Sequence, residues 1–175
     1  MVYNDSIDEA KVQNLELLVA DHIRTLTLPS KKFSQPVAII LVGGPFTGKT
    51  TLVEHVAKKF PLAVLSDANI GSFLSPRTTF FKRGSEEIFL LASRTIEELI
   101  KQKISVIYDA SVKRRTDREA LRRTVTNGGG KLLLVSVIMP EKEAYARLKK
   151  LNSQIVQGNR KGFILNKDLF QYELH

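Results

Sequence analysis

The stretch Val37 to Thr51, VAIILVGGPFTGKTT, constrains the fold more than any other part of the chain. It opens with an apolar, largely β-branched run, Val37 to Val42. A glycine-rich turn follows at once: Gly43, Gly44, Pro45, Phe46, Thr47 and Gly48, then Lys49, Thr50 and Thr51. A helical pattern continues from Thr50 to Phe60. The turn fits G-x-x-x-x-G-K-[ST] and lies between a strand and a helix, which is the context a phosphate-binding loop requires.

Each residue type has a physical reason to be there. Gly43 and Gly48 let the backbone turn tightly and aim several N–H groups at a triphosphate. The start of the helix adds unpaired N–H groups and the positive end of its dipole. Lys49 can reach the β- and γ-phosphates, and the Thr50 hydroxyl is a hard oxygen of the kind Mg²⁺ prefers. The expected ligands are ATP and Mg²⁺, held by the loop from Gly43 to Thr51.

The rest of the chain alternates strands with helices. Short apolar runs predict strands at Leu62–Leu65, Ile104–Tyr108 and Lys131–Ile138, the last apolar enough to be covered on both faces. Helices are predicted at Asp67–Leu74, Glu86–Lys101, Thr116–Thr126, Pro140 to about Leu151, and Asn166–Glu173. Asn127-Gly128-Gly129-Gly130 reads as a helix stop and turn rather than a second phosphate loop, because no strand precedes it. The loops are expected at Ser75–Ser85 and, polar and mobile, at Asn152–Gly162. This alternation argues for an α/β fold: a P-loop NTPase-type three-layer α/β/α domain on a small parallel sheet of about four strands. An additional helix, about Ile7 to Thr27, precedes it. A capping box at Ser6-Ile7-Asp8-Glu9 opens it, and Val12, Leu15, Val19, Ile23 and Leu26 recur at helical spacing. Residues 1–36 are thus a helix and connector packed on a core of residues 37–175, whose carboxyl end comes so soon after the basic loop that truncation is open.

Composition narrows the function. The chain has 175 residues and no cysteine, so a disulfide framework and a thiolate metal site are excluded. His22, His55 and His175 show no ligand spacing. With no leader pattern and no apolar run of spanning length, a cytoplasmic protein without membrane contact is expected. The charge is +9, from 27 Lys and Arg against 18 Asp and Glu. That balance suits polyanions, ATP or nucleic acid among them, and equally suits ordinary solubility.

Phosphoryl transfer needs a metal-orienting carboxylate, a base for the acceptor hydroxyl and positive charge for the transition state. Asp109 ends the strand run ISVIYD, where a metal-directed acid would stand; capping the next helix is the other role open to it. Asp67 ends another strand at the same sheet edge, where ligands bind in open α/β sheets. It can act as base or as N-cap of the following helix. Arg147, Lys149, Lys150, Arg160 and Lys161 form either a closing basic segment or a solvated face. In the loop 76–83, PRTTFFKR, basic residues alternate with phenylalanines. Single-stranded nucleic acid is bound by such a pattern, although phenylalanines more often pack beneath a loop.

Taken in order, GGPFTGKTT, LSDANI, VIYDASVKRRTDREAL and VSVIMPEKEAYARLKK resemble a group of P-loop kinases. The group includes the kinase domain of phage-type polynucleotide kinase, zeta-toxin-like sugar-nucleotide kinases and chloramphenicol phosphotransferase-like enzymes. The resemblance runs from about Val37 to Leu169. It implies ATP as donor, Lys49 and Thr50 on phosphate and Mg²⁺, and Asp67 as the base that activates the acceptor. It puts Asp109 near metal or acceptor, Arg115 and Arg118 at basic positions of the next helix, and Arg147 first in the lid helix. Three positions depart from the group: Ile70 where polynucleotide kinases carry an acceptor-gripping arginine, Leu151 where a second lid arginine is common, and Phe46 in place of glycine. Arg77 or Arg83 can stand in for the missing arginine.

The expected activity is therefore transfer of the γ-phosphate to a hydroxyl of a nucleic-acid end, a nucleotide sugar or a small metabolite. The alternatives are a non-kinase module in which ATP binding or hydrolysis gates contact with a partner, nucleic acid among the candidates, and nucleic-acid binding as the main activity, driven by the +9 charge.

Overall fold

The computed structural model describes residues 5–74, 84–110, 112 and 114–159. The strands are β1 (Val37–Val42), β2 (Ala63–Ser66), β3 (Val106–Asp109) and β4 (Lys131–Ser136). All pair in parallel, in the order β2-β3-β1-β4. Parallel pairing brings the carboxyl ends of β1, β2 and β3 to one edge, so the phosphate loop, Asp67 and Asp109 leave the sheet side by side. Register sharpens this: Leu65 lies opposite Tyr108 and Ser66 opposite Asp109.

The helices are α1 (Asp5–Thr25), α2 (Lys49–Lys59), α3 (Asp67–Leu74), α4 (Gly84–Lys101), α5 (Arg115–Asn127) and α6 (Glu141–Val156). One sheet face carries Ala38, Ile40, Leu65, Val106 and Tyr108, packed with Leu74, Leu91, Ile96, Leu99, Leu121 and Val125 of α3, α4 and α5. Outside that layer α1 adds Leu15, Val19 and Ile23, three of the periodic residues of its sequence, with Leu18 beside them. The opposite face, Leu41 and Ile107, is covered by Val53 of α2, with Leu52 and Val56 beside it. Within α1, His22 is 1% exposed, with Nδ1 3.0 Å from Thr95 Oγ1 and its ring tilted against Phe73.

Three expectations need correction. α1 begins at Asp5, ahead of the Ser6 expected to cap it. β4 is not covered on both faces: it lies at the end of the described sheet, and Leu133 is 50% exposed. Leu132 and Leu134 turn into the core, whereas α2 sits over β1 and β3 and leaves Leu133 uncovered. Finally, the mobile loop expected from Asn152 is helical as far as Val156. Leu151 and Ile155, both partly buried, extend the stripe begun by Ala144 and Leu148, and Ser153 Oγ donates to Lys149 O at 3.0 Å, satisfying its hydroxyl within the helix. The stop comes at Gly158, at φ 74°, where Gly158 N donates to Ile155 O and Asn159 N to Gln154 O. The glycine run after α5 closes it in the same way, with Gly129 at φ 81°. The expected 75–83 loop with Arg77 and Arg83, the basic pair Arg160 and Lys161, and the expected 166–173 helix lie outside the described residues.

Candidate functional site

The loop between β1 and α2 is built to meet an anion. Gly48 adopts φ 102°, which side-chain-bearing residues rarely reach, and its N-cap position begins α2. Gly43 is required for another reason: a Cβ there would lie 2.4 Å from Val137 O. Thr47 Oγ1 donates to Gly44 O at 3.0 Å and closes the turn from inside. Lys49 Nζ donates to Gly43 O at 2.8 Å and Gly44 O at 2.7 Å. Its ammonium is thereby folded over the loop, at the place where phosphate oxygens would be received.

Two carboxylates stand to one side of this loop, at the ends of β3 and of β2 beyond it. At the end of β3, Asp109 Oδ2 accepts a 2.6 Å hydrogen bond from Thr50 Oγ1. These two hard oxygens fit Mg²⁺, which keeps most of its shell as water and substrate phosphate. Among the described residues no group of three His, Cys, Asp or Glu side chains comes together to hold a metal ion. Asp67 opens α3 from the end of β2. Capping that helix falls to Ser66, whose Oγ accepts from Asn69 N at 3.0 Å. Asp67 Oδ1 instead accepts a hydrogen bond of 2.5 Å from the Tyr108 hydroxyl. Burial pushes the Tyr108 phenol well above its ordinary pKa, and the Asp67 charge and hydrogen bond raise it further.

The third side of the site is α6. Arg147 Nη1 donates to Phe46 O at 3.3 Å and lies 3.4 Å from where a Gly48 Cβ would be. Phe46 packs against the buried pair Ala144 and Leu148, as do Met139 and Tyr145. Between loop and helix lies a cavity of about 620 Å³ lined by Lys49, Thr50, Glu54, Arg147, Lys150 and Gln154, among others. Lys149 is turned elsewhere, its Nζ 4.8 Å from the Tyr145 ring centroid. Leu151, where the resembling enzymes have a second arginine, also lines the cavity.

Not every expected cation gathers here. Arg118 Nη1 donates to Val112 O at 3.0 Å and so fastens the connection between β3 and α5. Arg115 is exposed on the first turn of α5. Ile70 is fully buried in the core, so α3 presents no charge at that position. Sequence reasoning missed Tyr108, Glu54 and Gln154. Glu54 follows Thr50 by one helical turn and Gln154 follows Arg147 by two, so periodicity alone could have indicated both.

A family profile described as AAA domain matches residues 39–157. The chain belongs to this AAA domain family. Solved structures share its fold. One, the Pnkp1/Rnl/Hen1 RNA repair complex, aligns with a TM-score of 0.66 at 18% identity, over 83% of this chain and 45% of that one. The PezAT chromosomal toxin-antitoxin system of Streptococcus pneumoniae gives 0.62 at 19% identity, over 99% and 70%. The Mycobacterium tuberculosis APS kinase CysC, in complex with AMPPNP and APS, gives 0.56 at 20% identity, over 74% and 78%. The chain thus spans less than half of the RNA repair chain it aligns with. No curated protein matches the sequence. The AAA domain match spans β1 through α6, and the fold is that of P-loop kinases, with the glycine-rich loop at its centre. No described helix is long and apolar enough to cross a membrane.

Proposed function

We propose that this AAA domain protein is an ATP- and Mg²⁺-dependent kinase that phosphorylates a hydroxyl. One observation carries the proposal. Two carboxylates stand at the same sheet edge as the phosphate loop: Asp109 is bonded to Thr50, and Asp67 to Tyr108. Asp109 and Thr50 would hold Mg²⁺ on the phosphates. Bound Mg²⁺ supplies neutralisation of charge on the β- and γ-phosphates. Asp67 would take the acceptor proton, and Lys49 and Arg147 would meet charge that builds on the transferred group. A nucleic-acid end, a nucleotide sugar or a small metabolite with a free hydroxyl are the acceptor classes that fit.

The test is transfer from γ-labelled ATP with Mg²⁺ to a 5′-hydroxyl oligonucleotide, UDP-sugars and small alcohols. Label on an acceptor, lost in Lys49→Ala and in Asp67→Ala while the latter still binds ATP, is the expected result. Full transfer by Asp67→Ala removes it as the base.

A second reading has a specific observation behind it. Ile70 is buried where an acceptor-gripping arginine would be expected, which favours an ATP-gated module that engages a partner without phosphorylating it. A partner retained only with ATP, with label appearing solely as free phosphate or not at all, distinguishes that reading from the kinase.

A further inference from the structure

Tyr108 is a buried polar residue that the reaction scheme leaves unused. It sits at 1% exposure in the middle of β3, inside an otherwise apolar cluster. A phenol in that position must find a partner, because an unpaired buried hydroxyl is costly. Leucine or phenylalanine would fill the same space without that requirement. The partner it finds is Asp67.

Strand geometry explains why the two meet. Tyr108 lies opposite Leu65 in the parallel register of β2 and β3. Asp67 follows Leu65 by two residues, just past the end of β2 as the first residue of α3, and its Oδ1 is reached by the Tyr108 hydroxyl. Two strand residues advance roughly 6.6 Å, which is close to the reach of a tyrosine side chain laid along the strand. The phenol therefore passes beneath the carboxyl end of β2 and emerges at Asp67. The next residue of β3, Asp109, points to the opposite face and meets Thr50 at the head of α2. One dipeptide, Tyr108-Asp109, thus carries the metal-directed carboxylate and the donor that holds the other carboxylate, Asp67.

We propose that Tyr108 is a positioning residue: its hydroxyl fixes the orientation of the Asp67 carboxylate, and its place beside Asp109 sets the base at a constant offset from the metal-directed acid. This rests on Asp67 acting as the base. In the step it serves, the acceptor O–H proton passes to Asp67, the acceptor oxygen bonds to the γ-phosphorus, and the bond from that phosphorus to the β–γ bridging oxygen breaks to release ADP. The donor to Oδ1 restrains the carboxylate from rotating, so the lone pair that receives the proton stays aimed at the acceptor. A hydrogen bond to the charged form also favours that form.

Tyr108→Phe removes the hydroxyl and keeps the packing. ATP affinity, read by calorimetry, and the thermal melt stay close to the wild type. With the acceptor that the labelled panel identifies, kcat falls roughly tenfold, the scale of losing a charge-assisted hydrogen bond, and KM for ATP does not move. The acid limb of the pH–rate profile moves to higher pH, because the carboxylate has lost a donor to its charged form. A merely structural tyrosine would not move that limb. The carboxyl-carbon NMR titration of Asp67, assigned by its absence in Asp67→Asn, shifts the same way and needs no substrate. An unchanged titration, or a Tyr108→Phe enzyme with the wild-type kcat and pH profile, overturns the role of Tyr108 and leaves the kinase itself standing. A wild type that shows the titration shift on mutation but transfers phosphate to nothing overturns the kinase and with it any catalytic use of the pair.

Discussion

Phe46 offers a measurement in which the usual ranking of two substitutions should invert. It stands in the phosphate loop at φ 62°, a left-handed conformation that a bulky side chain rarely adopts. That conformation costs a residue with a Cβ about 1–2 kcal/mol. The ring offsets the cost by packing on the cluster of Ala144 and Leu148, which draws α6 onto the loop. Phe46→Ala and Phe46→Gly both lose this packing, which for a partly buried ring is about 1–2 kcal/mol. They differ at the backbone. Alanine keeps the strain, whereas glycine relieves it and instead loses about 0.5–1 kcal/mol to the greater freedom of its unfolded chain. The difference predicts that Phe46→Gly is the more stable of the two by about 0.5–1 kcal/mol. Urea unfolding should show it as a higher midpoint with an unchanged slope. If alanine proves the more stable by the ordinary helix or strand margin, the loop does not hold residue 46 in a left-handed conformation, and its docking of α6 has no strain to offset.

Three further outcomes are expected. Gly43→Ala forces a Cβ to within 2.4 Å of Val137 O, so thermal unfolding should show a loss of about 1–3 kcal/mol and calorimetry a weaker hold on ATP. Thr50→Ala removes the hydroxyl bonded to Asp109; ATP binding without metal should persist, while the gain on adding Mg²⁺ should fall roughly tenfold or more in calorimetry. Burial lowers the His22 pKa below its ordinary 6.5, so the folded state favours neutral imidazole. Stability is then full above the unfolded value and falls as pH drops from about 6.5 towards the lower folded value, by up to about 1.4 kcal/mol per pH unit. Urea midpoints from pH 8 to pH 5 should show this fall in the wild type and a flatter profile in His22→Leu.

Legibility in the sequence tracked locality. The phosphate loop could be read outright because strand, turn and helix are adjacent and each residue type has a local reason. Asp67 and Asp109 could be placed at one edge because parallel strands share a direction. What joins them could not: Tyr108 and Asp67 are 41 residues apart, and their contact depends on the β2–β3 register, which no periodicity encodes. β4 misled because an apolar run states how hydrophobic a strand is but not which neighbour covers it. α6 misled because Asn152, Ser153 and Gln154 look like a loop when counted by polarity. Counted by position, Leu148, Leu151 and Ile155 continue the helix.

Ile70 shows why a missing motif residue need not be an isolated substitution. Asp67 begins α3 and Ile70 lies one turn on. With Ser66 capping the helix and Tyr108 holding Asp67, α3 is turned so that position 70 enters the cluster containing Leu65 and Tyr108, at 0% exposure. A guanidinium there would be stripped of water at a cost of several kcal/mol. The same contacts that orient Asp67 therefore exclude a cation from the next turn of its helix. An acceptor bearing a phosphate beside its hydroxyl would have to be met from a different element. Among the described residues, Arg114 and Arg115 are exposed at the head of α5, directly after the connection from Asp109. Hydroxyl activation would then sit on α3 and phosphate recognition on α5, and the spacing between those two helices would decide which acceptors fit.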